Sequence, residues 1–131
     1  CCWLDNNTVI GYLRGSAGDR YYKIDVNTGR LNVIGEGVID RFGDGHPSIL
    51  NRELMLYDSY PDRSRMKGLY IYNIKTNVIE KIGEFYESLN YYGETRCDLH
   101  PRFSCDGGKV FVDSVHKGKR QLHWIDLNRP L

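Results

Sequence analysis

Most of the hydrophobic content of this chain sits in short runs broken by Gly, Asn and Asp. Leu54-Met55-Leu56-Tyr57 and Leu69-Tyr70-Ile71-Tyr72 have the length and the β-forming make-up of buried strands. Val110-Phe111-Val112 and Leu122-His123-Trp124-Ile125 match them further on. No segment keeps a 3.6-residue apolar period long enough for a packed helix, which excludes a helical solenoid. Between the runs stand turn residues: Asp5-Asn6-Asn7, Asn27-Thr28-Gly29, Lys75-Thr76-Asn77, Asp106-Gly107-Gly108 and Lys117-Gly118-Lys119. Gly and Asn accept the positive φ that tight turns demand. Cys1 to Tyr12 reads as two strands around the first of these turns, Arg14 to Asp19 as a loop, and Tyr21 to Val26 as a third strand. Arg30 to Gly35 and Val78 to Gly83 read as outer strands. Asp62 to Lys67 reads as a polar insertion with room for one helical turn, and Glu84 to Thr95 as a long connection.

The runs recur in one order. His46-Pro47-Ser48-Ile49, then Leu54 to Ser59, then Leu69 to Ile74 is repeated by His100-Pro101-Arg102-Phe103, Lys109 to Ser114 and Leu122 to Leu127. A more degenerate copy opens the chain as Cys2-Trp3-Leu4, Thr8 to Tyr12 and Tyr21 to Val26. The closing strands carry Asp25, Asn73 and Asp126 at the same place. A spacing of about 50 residues with short strands and Gly/Asn turns marks β-propeller blades. The expected fold is therefore all-β: a β-propeller segment of about three four-stranded blades, over residues 1–39, 40–95 and 96–131. Three blades are fewer than the ~4–8 that close a ring. The chain is thus expected to be the C-terminal part of a larger propeller or a unit that assembles with copies of itself. Residues 128–131 leave the last strand and are a candidate for pairing with a first blade.

Composition narrows the function classes. Eighteen basic and 17 acidic residues leave a net charge of +1, without the basic excess of a nucleic-acid binder. No apolar run is long enough to span a membrane as a helix. No signal-peptide pattern is present, so the expected location is the cytoplasm, or the periplasm if a leader precedes the chain. The four cysteines lack CxxC spacing, which argues against a structural zinc site and for free thiols. Ten tyrosines suit half-buried strands and a sugar-facing rim equally. Catalytic Ser/His/Asp motifs, phosphate-binding glycine loops and dinucleotide fingerprints are absent.

His46 and His100 occupy one position in successive repeats, each just before a proline and an innermost strand. Innermost strands line the central channel, so these imidazoles converge on the ring axis and could share a divalent ion. Asp44 and Asp98, two residues upstream of each, are candidates to orient the rings. The alternative is that each histidine fixes its turn by bonding the neighbouring blade. His116 is either a third ligand or a turn histidine, and His123 is read as packing or surface. Arg96, Arg102 and Arg120 suit an acidic sugar, because a guanidinium fork matches a carboxylate in two parallel hydrogen bonds. Ion pairing with Asp58, Asp98 or Asp113 is the competing role. Asp58-Ser59 and Asp113-Ser114 recur at matching places and read as caps for backbone donors. Cys1 stands where the later repeats carry histidine, so any site is asymmetric.

Pro101-Arg102-Phe103-Ser104-Cys105-Asp106-Gly107, followed by a strand, Asp113-Ser114, the Gly118 turn and Ile125-Asp126-Leu127, resembles the PD40-type repeat of TolB-like propellers. The wider pattern is Asp44 to Ser48, Arg96 to Arg102, and Asp113-Ser114-x-His116-x-Gly118-x-Arg120-Gln121. It is similar to the oligogalacturonate-lyase-like propellers. That resemblance implies an acidic oligosaccharide or glycan at the channel mouth and β-elimination assisted by Mn²⁺ or another divalent cation. It casts Arg96 and Arg102 as catalytic, Asp44, Asp98, Arg120 and Gln121 as substrate-binding, and His46, His100 and His116 as metal ligands. The family's metal cluster uses closely spaced histidines with a glutamine. Here there is no His-x-His, and Gln121 is the sole glutamine. A non-catalytic propeller scaffold for protein or glycan binding is the alternative function.

Overall fold

A computed structural model describes residues 1–127; the terminal segment proposed to pair with a first blade lies outside them. The chain forms three antiparallel sheets in sequence order. The first is a meander of β1 (Cys2–Asp5), β2 (Thr8–Gly15), β3 (Gly18–Asp25) and β4 (Leu31–Val33). The second runs β5 (Ser48–Ile49), β6 (Leu54–Asp58), β7 (Met66–Asn73) and β8 (Val78–Tyr86). The third has three strands among the described residues: β9 (Arg102–Phe103), β10 (Lys109–Ser114) and β11 (Gln121–Asp126). The sheets are the expected blades. Their innermost strands neighbour one another, β1 against β5 and β5 against β9.

Register shows how strictly the repeat holds. Asp25, Asn73 and Asp126 stand opposite Thr8, Leu54 and Lys109. Counting from those pairs, Met55↔Tyr72 and Val110↔Ile125 are equivalent, as are Leu56↔Ile71 and Phe111↔Trp124. Because side chains alternate across a sheet, Met55, Tyr57, Tyr70 and Tyr72 face the first blade. There they pack with Ile10, Tyr21, Ile34 and Ile39. Leu56, Leu69 and Ile71 face the third blade and pack with Leu99, Val110 and Val112. The middle blade is covered on both sides, so β7 is buried along nearly its whole length. That is why Leu69 to Tyr72 reads as a continuous apolar run. Between the first two blades Phe42, from the short 3₁₀ turn Asp40–Phe42, lies 4.3 Å from the Tyr70 ring. Tyr57 stacks on Tyr70 at 5.3 Å.

Local boundaries differ from the sequence expectation in three places. The loop expected over 14–19 is instead the tip of the β2–β3 hairpin, with Ser16 and Ala17 as the turn. Arg14 and Asp19 face each other across it and form a two-pronged ion pair at 2.7 Å. A Cβ at Gly15 would stand 2.6 Å from the end of the Tyr22 ring, which would have to shift to admit one. Asp62 to Lys67 forms no helical turn. Asp62 Oδ1 accepts from the N–H groups of Ser64 and Met66 at 2.8 and 2.9 Å, and β7 starts at Met66. Strand β8 runs on to Tyr86, into the expected connection.

The turns carry a pH dependence. Asp25 Oδ1 accepts from the N–H groups of Asn27 and Thr28, each at 2.9 Å, and these bonds hold its carboxyl below the usual range. Asp5 is lowered by the Asn7 N–H, and Asp106 by the Ser104 hydroxyl and the Gly108 N–H. A carboxyl whose folded pKa lies below its unfolded value stabilises the fold above that unfolded value, and the gain is lost as pH falls through the folded one. Tm is expected to hold down to about pH 5 and then fall steadily toward about pH 3. Asn73 makes the same two turn bonds at 2.9 Å without titrating. Asp25→Asn should therefore keep the turn and blunt the acid-side loss of Tm in a melting series.

Candidate functional site

The innermost strands deliver Cys1, His46, Pro47, His100, Pro101 and Arg102 to one cleft. The three repeat-equivalent positions, Cys1, His46 and His100, thus meet as the spacing predicted. The rings of His46 and His100 lie 4.3 Å apart in an edge-to-face arrangement. One ligand atom from each of His46, Asp98 and His100 falls within 4.8 Å of the others. It is the one such group of metal-ligating side chains found among the described residues.

Asp58 builds this geometry. It ends β6 with only 2 % of its surface exposed. Its Oδ1 accepts the His46 backbone N–H at 2.6 Å, and its two carboxylate oxygens lie 3.1 and 3.2 Å from His46 Nδ1. Its Oδ2 accepts the backbone N–H of Leu99, on the next blade, at 3.1 Å. One carboxylate therefore joins both histidine-bearing loops. Gly45 is required because a Cβ there would overlap the Asp58 carbonyl. Leu99 is held from its other side by the Asp113 N–H, donated to the Leu99 carbonyl at 2.8 Å. His100 follows with φ at +41°, in the left-handed region that non-glycine residues rarely adopt. The hydrogen bond that His46 Nδ1 donates to Asp58 raises the His46 pKa above the ordinary histidine value, against the opposing effect of burial.

Asp98 lies in a cationic setting. Arg96 grips it through two bonds of 2.8 and 2.9 Å, and Lys67 Nζ stands 3.6 Å from Oδ1. Burial pushes its carboxyl up, but the Arg96 bonds and the nearby charges outweigh that and hold it below the usual range. The Arg96 guanidinium also covers the Tyr60 ring at 4.7 Å.

A scan against protein-family models and a search of curated proteins returned no match. Among solved structures, TolB from Acinetobacter baumannii superposes on 95% of this chain with a TM-score of 0.65 and 17% identity. The match covers 28% of that TolB chain. The fold is a TolB-like β-propeller.

Within the TolB-like scaffold the other candidate residues fall into place, and several expectations change. His116 does not join the metal-capable group. Its Nδ1 lies 2.9 Å from Ser114 Oγ, and its ring sits between His123 and Phe85, at 4.3 and 5.4 Å. The reason is radial: the β10–β11 turn lies at the rim end but one strand further out than β9. Burial, then His123 and Lys117, lowers its pKa. His46 Nδ1 is oriented by Asp58 rather than Asp44, whose Oδ1 accepts the Gly45 N–H at 2.8 Å. Asp98, expected to orient a ring or bind substrate, instead offers its own ligand oxygen. Arg102 stays in the cleft; it donates to the His100 carbonyl at 2.7 Å and reaches Asp113 at 3.3 Å. Arg120 donates to the Arg96 carbonyl at 2.9 Å, and Gln121 is exposed opposite Ser114 on β11. Ion pairing, the competing role for the arginines, is thus realised for Arg96 and Arg102.

Two residues under the rim went unnoticed in the sequence. Lys67 and Glu87 are each 1 % exposed. Lys67 Nζ donates to Glu87 Oε1 and to the Cys97 carbonyl, both at 2.6 Å. Glu87 Oε1 also accepts the Cys97 N–H at 3.0 Å, and Oε2 accepts from Arg65 Nη2 at 3.1 Å. This network holds the backbone next to Asp98. Strand alternation held the signal: Lys67 shares a face with Leu69 and Ile71, so it had to be buried and paired.

Proposed function

We propose that the inner rim of this propeller holds a divalent first-row cation on His46, Asp98 and His100 and presents it to an acidic oligosaccharide. The observation that carries the reading is the convergence of two imidazoles and one carboxylate, from two blades, within 4.8 Å. Two nitrogens and one oxygen suit Mn, Fe, Co or Zn better than Ca or Mg. A buried carboxylate behind His46 Nδ1, at 3.1 Å, fits the arrangement that orients a ligating imidazole and leaves its Nε2 free to bind.

The substrate class rests on the arginines and on the resemblance of the rim sequence motifs to those of oligogalacturonate-lyase-like propellers. Arg102 lies in the cleft paired with Asp113; a uronate carboxylate that displaced Asp113 would be gripped by its guanidinium fork. Arg96 acts through Asp98, which it holds in place and ionised. A bound cation would supply further positive charge to that carboxylate, making the neighbouring C5 proton more acidic. In β-elimination a base takes that proton, the C5–H electron pair forms the C4=C5 double bond, and the C4–oxygen bond breaks with its electrons leaving on the oxygen, which water protonates.

Calorimetric titration of the chain with Mn²⁺ tests the reading. Saturable binding is expected, lost in both His46→Ala and His100→Ala and kept in His116→Ala. Binding indifferent to His46 and His100, or none at all, would move the assignment to a scaffold that binds glycan or protein without chemistry. That second reading draws on Arg96–Asp98 and Arg102–Asp113, which already pair the rim charges with one another.

A further inference from the structure

We propose that the groove between the Asp40–Phe42 turn and β7 binds one acidic sugar ring of an oligosaccharide that reaches on into the neighbouring histidine cleft. The groove stands on its own geometry, whereas the choice of an acidic sugar as its occupant rests on the function proposed above.

The groove has a volume of about 290 Å³, close to the lower limit of ~300 Å³ for ligand pockets and suited to a single ring. Phe42 and Tyr70 give it an aromatic floor. Gly68 makes that floor possible: a Cβ there would overlap the Tyr70 hydroxyl, so the absence of a side chain lets the Tyr70 ring fold back over the strand. Phe42 lies 4.3 Å from the Tyr70 ring, and the fully buried Tyr57 stacks on Tyr70 at 5.3 Å. These rings are fixed by the core between the first two blades, so little ordering is left for a ligand to impose. Aromatic faces carry partial negative charge, which suits the C–H face of a pyranose.

Arg41 supplies the charge. Its guanidinium lies 4.9 Å over the Phe42 ring. Arg65, Arg96 and Arg102 each pair with a carboxylate, but Arg41 has no ion pair among the described residues. The acids lining the groove are already engaged. Glu84 pairs with Lys81, and Asp62 Oδ1 accepts the N–H groups of Ser64 and Met66. Arg41 is thus the groove's free fork for a sugar carboxylate. Ser59 Oγ accepts the Gly68 N–H at 3.0 Å, which leaves its own hydrogen to donate to a sugar oxygen.

Tyr60 joins the groove to the cleft. It lines the groove, its ring lies 6.1 Å from the His46 ring, and the Arg96 guanidinium covers it at 4.7 Å. Ser59, also in the groove, follows directly on Asp58, the carboxylate behind His46 Nδ1. One short segment therefore serves both places, and a sugar chain crossing Tyr60 would set a ring in each.

Amide NMR spectra of the full chain in EDTA, titrated with galacturonic acid and with trigalacturonate, read the two places residue by residue. Both sugars are expected to shift Ser59, Tyr60 and Gly68, and trigalacturonate to bind more tightly and to shift His46 and Arg102 as well. Arg41→Ala, at an exposed position, should weaken trigalacturonate by ~10-fold or more, the loss expected for a charge-assisted hydrogen bond, and leave Mn²⁺ affinity unchanged. Shifts confined to the cleft and indifferent to Arg41→Ala would overturn the groove and leave the metal reading standing. Groove shifts in a chain that binds no Mn²⁺ would uphold the groove and overturn the metal site. An equal response to maltotriose, a neutral trisaccharide, would overturn the acidic occupant. No shift at millimolar concentrations of either acidic sugar would overturn the proposal outright.

Discussion

Lys67→Met is expected to cost about 3–5 kcal/mol of stability, the toll of removing one partner from a buried ion pair. The lost ammonium leaves the Cys97 carbonyl without its 2.6 Å donor and Glu87 with Arg65 as its remaining charged partner. Methionine fills much of the lysine volume, so cavity formation contributes little and the loss is mainly electrostatic and hydrogen-bonding. A small domain loses several degrees of Tm per kcal/mol, and the melt should therefore fall by more than about 10 °C. Lys81–Glu84, a contact between half-exposed side chains, provides the contrast: Lys81→Ala should stay within about 1 kcal/mol. Adding Glu87→Gln to Lys67→Met should cost far less than the two single losses together, because the pair acts as a unit. Chemical denaturation of the four proteins of that cycle decides the matter. A Lys67→Met loss below about 1 kcal/mol would mean that the Arg65–Glu87 contact alone holds the 87–98 segment.

The blades were legible in the sequence because their signal is redundant. The order His-Pro, apolar run, Asp-Ser, apolar run recurs intact, and a strand pairing repeated in register leaves few other solutions. His46 and His100 were legible for the same reason: equivalent positions at the mouths of neighbouring innermost strands must approach the same axis. What stayed hidden depends on direction rather than order. The His116 loop lies near the Asp-Ser motif in sequence, and nothing in that spacing says it opens one strand further from the channel. Gly15 and Gly18 suggested a loop, whereas one glycine makes room for the Tyr22 ring and the other turns a hairpin with φ at +92°. Asp44 looked like the orienting carboxylate because it is close in sequence to His46. The residue that does the orienting arrives from across the sheet.

Asp58→Asn follows from that last point and joins stability to the proposed chemistry. The wild-type carboxylate accepts two backbone N–H groups, from His46 and Leu99, and faces His46 Nδ1 as well. An asparagine has one oxygen, so its amide N–H₂ must confront at least one of these donors. A buried donor left without its acceptor costs about 1–3 kcal/mol, here with the added loss of the carboxylate that favours a charged His46. The expected result is a stability loss of about 2–4 kcal/mol together with Mn²⁺ affinity weakened ~10–100-fold, the usual effect of removing a carboxylate behind a ligating histidine. Asp44→Asn should leave both quantities nearly unchanged. The two readouts separate the roles of Asp58. A stability loss with intact Mn²⁺ binding would make it a clamp between the second and third blades and nothing more. Loss of both, beside a His46→Ala variant that loses binding with a smaller fall in Tm, would show one buried carboxylate serving the blade junction and the metal site together. Its position supports that dual role, since the bond to Leu99 that joins the blades also sets the backbone from which His100 enters the cleft.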